Sequence, residues 1–169
     1  MPGRLVLIRH AKTEQGPVDI ERALTDRGRR DAGAIGTLLR QQGIAPDRVV
    51  VSPALRARQT WNGAQAELAD VAELTVDDRI YDNEVDGLLD VIRDSPEGVA
   101  TLALVGHNPS FEQLAHALDD GNGDPDATEA LRAGYPTSAV AIYEMNGEWT
   151  DLRPHSAILQ TFSVARADQ

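Results

Sequence analysis

Three short stretches of this 169-residue chain carry side chains suited to holding an anion: Arg9-His10, Ser52-Pro53-Ala54-Leu55-Arg56 and Gly106-His107-Asn108-Pro109. Each follows an apolar run, respectively Leu5 to Ile8, Val49 to Val51 and Thr101 to Val105. In a parallel α/β sheet such strand-to-helix junctions gather at the carboxyl ends of the strands, where ligands bind. Two histidines and two arginines are therefore expected to converge on one small space. A planar guanidinium can grip two phosphate oxygens at once. Helix starts expected near Ser52 and Asn108 would add unsatisfied N–H donors and positive dipole ends. The constellation points to an oxyanion, and within that class to a phosphoryl group. Taken singly, the Arg-His pair, Arg56 and the Gly-His-Asn-Pro turn each have an ordinary structural reading. Their recurrence at three equivalent junctions is what gives them weight.

The elements that must position these residues are legible along the chain. Continuous apolar runs rich in β-branched residues read as strands buried on both faces. Thr25 is the expected N-cap of a helix whose inner face repeats through Gly28, Ala32, Ile35, Gly36 and Leu39, with Gly43 as its stop. Ser52-Pro53 reads as N-cap plus first helical residue of a helix to about Ala69, and Asn108-Pro109 repeats that pattern ahead of a helix to about Leu118. Leu74 to Val76 is a weaker strand, and Asp77 to Asp86 an acidic loop. Leu88, Leu89, Val91 and Ile92 predict a short helix ending at Ser95-Pro96. Residues 119 to 136, rich in Asp, Gly and Pro, read as a surface excursion. Val140 to Met145 and Trp149 to Leu152 read as a hairpin closed by Asn146-Gly147. Alternating strands and helices imply one α/β domain over residues 1 to 169, a three-layer sandwich whose mostly parallel sheet carries an antiparallel strand.

Composition narrows the function. Hydrophobic residues make up 41% and charged residues 25%, a soluble balance. With 16 basic and 27 acidic residues the formal net charge is −11, which disfavours nucleic acid and membrane surfaces as partners. An anionic substrate must then be met by a local cationic pocket. The absence of cysteine excludes disulfides, thiolate metal sites and cysteine nucleophiles. The apolar stretch after Met1-Pro2-Gly3-Arg4 is too short for a signal-peptide core or a membrane span, so a cytoplasmic enzyme or binding domain is expected. There is no His-x-His or His-Glu-x-x-His to suggest a metal-dependent hydrolase, and no glycine-rich turn after the first strand to suggest a dinucleotide site.

In order and wording the motifs resemble those of the histidine phosphatase superfamily, which includes phosphoglycerate mutases, and within it the short SixA-type phosphohistidine phosphatases. Leu7-Ile8-Arg9-His10-Ala11-Lys12-Thr13 is similar to the Arg-His-Gly signature, with Ala11 in place of glycine. Leu24-Thr25-Asp26-Arg27-Gly28 resembles the Leu-Thr-x-x-Gly helix entry. Ser52 to Thr60 resembles Ser-x-x-x-Arg-Ala-x-x-Thr, and Val105-Gly106-His107-Asn108-Pro109 the second-histidine motif. The resemblance spans residues 4 to 145 and implies a phosphoglycerate-mutase-like fold.

It further implies that His10 is a nucleophile that takes the phosphoryl group, its other ring nitrogen donating to a backbone carbonyl. Arg9, Arg56 and His107 would hold the equatorial oxygens, with Thr13 a further phosphate contact. No metal or other cofactor is required, because the guanidinium groups supply the positive charge. Glu84 occupies the region where larger relatives keep a general acid, but Tyr81-Asp82-Asn83-Glu84 does not reproduce their motif. A phosphoramidate needs such an acid less than an alkyl phosphate does. The expected partner is thus a protein bearing phosphohistidine, the alternatives being a small phosphoester or a phosphoprotein-binding module without turnover. His116 and His155 are read as structural, Tyr135-Pro136-Thr137-Ser138 as a segment placing the next strand, and Arg27, Arg29 and Arg30 as a solvated helix face.

Overall fold

The computed structural model describes residues 3–168. Met1, Pro2 and Gln169, which belong to the domain expected above, lie outside them. The strands are β1 (Gly3–Arg9), β2 (Arg48–Val51), β3 (Glu73–Val76), β4 (Thr101–Gly106), β5 (Ala139–Met145) and β6 (Ala157–Val164). They form a six-stranded sheet in the order β3-β2-β4-β1-β5-β6. The pairs β2–β3, β2–β4 and β1–β4 are parallel, and β5 runs antiparallel to both β1 and β6. The helices are α1 (Asp26–Gln41), α2 (Leu55–Gln65), α3 (Asp78–Tyr81), α4 (Val85–Arg93), α5 (Ser110–Leu118) and α6 (Pro125–Arg132).

Strand alternation builds the three layers. Leu5, Leu7, Leu102 and Leu104 face the side covered by α3 to α6, where Ile80, Leu88, Phe111 and Leu131 meet them. Val6, Ile8, Val49 and Val105 face the side covered by α1 and α2, against Ile35, Leu39 and Trp61. Each such fully buried aliphatic side chain stabilises the fold by about 1.5–3 kcal/mol. Thr25 caps α1 as expected, its Oγ1 accepting the Gly28 N–H at 2.9 Å. Gly28 has a second reason to lack a side chain: a Cβ there would lie 2.1 Å from the Lys12 carbonyl oxygen. The helix entry thereby packs directly on the loop that leaves β1.

Several expectations are corrected. The helix after β2 begins at Leu55, with Ala54 as N-cap, and ends at Gln65, short of Ala69. Pro109 is itself the N-cap of α5, so Ser110 is the first helical residue. The acidic loop Asp77 to Asp86 contains α3 and the start of α4. Residues 119 to 136 contain α6, capped by Asp124 and anchored by buried Ala127 and Leu131. The hairpin is also rearranged: Trp149–Asp151 is a 3₁₀ turn, and β5 pairs with Ala157–Val164. Trp149 is buried against the core and donates its indole N–H to the Val99 carbonyl, an alternative that outweighs its strand preference.

Candidate active site

Strands β2, β4 and β1 are neighbours, so their carboxyl ends bring Arg56, His107 and His10 together by topology alone. A cavity of about 500 Å³ opens there, lined among others by Arg9, His10, Arg22, Arg56 and His107. The His10 and His107 ring centroids are 5.4 Å apart. Backbone contacts hold the floor: His10 N–H donates to the Gly106 carbonyl at 3.0 Å, and Ser138 N–H to the His10 carbonyl at 3.1 Å.

The side chains are held with equal care. His10 Nδ1 lies 2.8 Å from the Ala11 carbonyl oxygen; only a donor can approach a carbonyl so, which leaves the lone pair on Nε2. Arg9 donates through Nη1 to the Tyr135 carbonyl at 3.0 Å, and the Tyr135 hydroxyl donates to the Leu7 carbonyl at 2.6 Å. Thr60 accepts the Ala11 N–H at 3.0 Å and donates to the Arg56 carbonyl at 2.7 Å, tying the first junction to the second. Ser52 is a partner of His107, its Oγ 2.8 Å from Nε2, and it also accepts the Ala54 N–H at 3.2 Å. Three buried nitrogens of cavity-lining residues have no partner among the described residues: Arg9 Nε, Arg56 Nε and His107 Nδ1. Buried donors left unpaired are costly, and all three belong to residues that line one cavity.

Burial pushes His10 down to about 4, with the charges of Arg9 and Arg56 acting in the same direction. His107 is pushed down to about 3 by burial and by its proximity to His10 and Arg56. Because both values lie below the usual 6.5, both rings lose their proton well under neutrality and stay uncharged above about pH 5. An NMR titration should give His10 a midpoint near pH 4; a midpoint above about 8 would mean an imidazolium at neutral pH and no free lone pair on Nε2.

The structure brings Arg9, His10, Arg56, His107 and Thr13 to one cavity. Thr13 accepts from Arg22 Nη1 at 2.9 Å, so its hydroxyl oxygen is already engaged by a cation. Glu84 is not brought in: it is exposed at the N-cap of α4, outside the cavity lining. The expected free donors at the start of α5 are also spent. Ser110 N–H goes to Asn83 Oδ1, Phe111 N–H to the His107 carbonyl and Glu112 N–H to Asn108 Oδ1. His116 is exposed, and His155, with φ 60°, lies 3.1 Å through Nδ1 from the Asp119 carbonyl oxygen. Asp19, Arg22, Tyr81, Asn83, Asn108 and Thr137 line the cavity although the motif reading assigned them no role there. Asp19 and Arg22 belong to a polar loop without periodicity, so no spacing marks them. Among the described residues no three His, Cys, Asp or Glu side chains are grouped to hold a metal ion, and no helix is long and apolar enough to cross a membrane.

This geometry has a known setting. Residues 5–117 match the model of the histidine phosphatase superfamily, branch 1. The chain belongs to the histidine phosphatase superfamily. An uncharacterised protein of Mycobacterium tuberculosis is 35% identical over 162 residues, covering 94% of this chain and all of the relative. A candidate phosphohistidine phosphatase SixA from Nakamurella multipartitia superposes with a TM-score of 0.86 at 30% identity, covering 98% of this chain and 97% of that one. A second candidate SixA, from Agrobacterium tumefaciens, gives a TM-score of 0.77 at 29% identity over 95% and 97% of the two chains. The sandwich is the phosphoglycerate-mutase-like fold expected from the motifs, and the superfamily's motif residues acquire physical reasons in it. Gly28 makes room for the Lys12 carbonyl, Thr60 joins two junctions, and Ser52 orients the second histidine.

Proposed function

We propose that this chain is a phosphohydrolase acting through a phosphohistidine on His10, and that its substrate is phosphohistidine carried by a protein. The observation that carries the reading is the pinned, uncharged His10, its Nε2 lone pair free and three partnerless donors around it. Nε2 attacks phosphorus in line; the P–Nε2 bond forms as the bond from phosphorus to the leaving nitrogen breaks, and that nitrogen takes its proton from water. Water then attacks the phosphohistidine, releasing inorganic phosphate and a proton and restoring neutral His10. Ser52 Oγ accepts from Ala54, so its O–H is free to donate to His107 Nε2. With the Ser52 hydroxyl donating to Nε2, the His107 proton would sit on Nδ1, the partnerless atom, as a donor to the phosphoryl oxygens. Arg9 and Arg56 contribute charge where it collects in the transition state.

The choice of a phosphoramidate over an alkyl ester is supported by the absence, among the described residues, of a protonated carboxylic acid in the cavity lining. Glu84 faces solvent, and Asp19, the carboxyl group in the cavity lining, is held ionised by its partners at about 2. The likeness to candidate SixA phosphohistidine phosphatases supports the same choice. The test is phosphate release, in chelator, from a phosphohistidine-bearing protein and from a panel of small phosphoesters. Release from the phosphoprotein at the higher kcat/KM is expected; a faster phosphoester would keep the mechanism and move the function to metabolite hydrolysis. Loss of activity in chelator would overturn the metal-free chemistry.

A further inference from the structure

Asp19 projects from a 3₁₀ turn, Asp19–Glu21, in the loop between β1 and α1, and the network it anchors reaches across the cavity mouth. Its Oδ2 accepts from Arg56 Nη2 at 3.0 Å and from the Tyr81 hydroxyl at 2.6 Å. Its Oδ1 accepts from Arg22 Nε at 3.1 Å, and its carbonyl from Arg56 Nη1 at 2.8 Å. Arg56 is thus gripped at both terminal nitrogens, while its Nε is buried without a partner among the described residues. The carboxylate is nevertheless half open to solvent, its side chain 53% exposed. It faces whatever part of a substrate extends out of the pocket.

The charges of the lining give this placement a consequence. Arg9, Arg22 and Arg56 stand against Asp19, with both histidines uncharged, so two net positive charges remain. That matches one phosphoryl dianion, which carries about −1.5 to −2 at neutral pH. Among the described lining residues a second anionic group on the substrate finds no spare cation beside Asp19, because Arg22 and Arg56 are already engaged by it, and it meets that carboxylate instead. Like charges brought together at a partly desolvated surface are a repulsive device against the wrong ligand. A leaving imidazole that gains a proton meets a complementary charge at the same place.

Resting on the phosphatase reading above, we propose that Asp19 sets specificity at this site: it selects phosphoryl donors whose leaving part is neutral or cationic, as in phosphohistidine, and rejects those whose leaving part bears a carboxylate. Asp19 acts here as a positioning and specificity residue, without touching the reacting atoms.

The experiment compares kcat/KM for phosphoimidazole, whose leaving imidazole bears no carboxylate, and for 3-phosphoglycerate in wild type, Asp19→Asn and Asp19→Glu. Asp19→Asn is expected to shift the ratio about tenfold toward phosphoglycerate, mainly through its KM, while Asp19→Glu retains most of the wild-type preference. An equal fall on both substrates would show that Asp19 only supports Arg56 and would end the proposal. On the unaltered protein the same rule predicts that phosphoethanolamine competes more tightly than phosphoglycolate, and the reverse order would overturn it whatever the variants do. No turnover of either substrate by wild type would remove the phosphatase reading and this proposal together. Turnover with an unmoved ratio would remove the role of Asp19 alone.

Discussion

His10→Ala is expected to lower kcat by roughly 10⁴–10⁶-fold and to abolish acid-labile phosphoryl label on the protein. The size follows from the task. On the proposed mechanism, loss of Nε2 closes the two-step route through a covalent intermediate and leaves only charge stabilisation by the remaining donors. The fold should survive, because His10 contributes a polar ring to a cavity wall while the strand ahead of it, Leu5 to Ile8, carries the packing. An unchanged thermal midpoint with lost turnover is therefore the expected pair of results. Near-normal rates in the variant would remove His10 as the nucleophile. Label persisting on another residue would move the chemistry elsewhere in the cavity, with His107 the first place to look.

Arg56→Ala is expected to cost roughly 10²–10³ in kcat and to weaken binding of tungstate or vanadate by a comparable factor. Arg56 is 6% exposed, and removal of its guanidinium takes away both the unpartnered Nε and the cation that helps hold Asp19. Arg56→Lys should recover only part of the loss. A lysine restores the charge but cannot bond Asp19 with two terminal nitrogens and offer a third to phosphate. Calorimetric titration with the oxyanion separates the two outcomes: unchanged affinity in Arg56→Ala would take Arg56 out of the phosphate site. The neighbouring Thr60 bond is made to the Arg56 carbonyl, so the link between the first and second junctions should persist in either variant.

Much of this molecule was legible because its strands are buried on both faces. β1, β2 and β4 announce themselves as unbroken apolar runs, and their ends place Arg9, His10, Arg56 and His107 without further information. The α1 face was equally plain, and all five of its predicted inner residues, from Gly28 to Leu39, are buried. The misread parts are those where local signals compete. Asn146-Gly147 is a strong turn signal, yet Trp149 finds burial and a carbonyl partner outside the sheet, so the returning strand is the later Ala157–Val164. In residues 119 to 136 the Asp, Gly and Pro content masked α6, whose cap and proline at its start are themselves helix signals.

The sequence by itself determined the sheet's central strands, the order of the motifs and the four side chains that topology must gather, because these depend on local periodicity and on one rule for parallel sheets. Only the tertiary structure decided the rest. It turned Ser52 from a helix cap into the partner of His107, spent the α5 amides on internal acceptors, left Glu84 in solvent and brought Asp19, Arg22 and Tyr81 to the mouth. Those outcomes depend on which groups find hydrogen-bond partners across dozens of residues of chain. Such pairing follows from three-dimensional packing and the cost of burying an unpaired polar atom, neither of which leaves a period in the sequence.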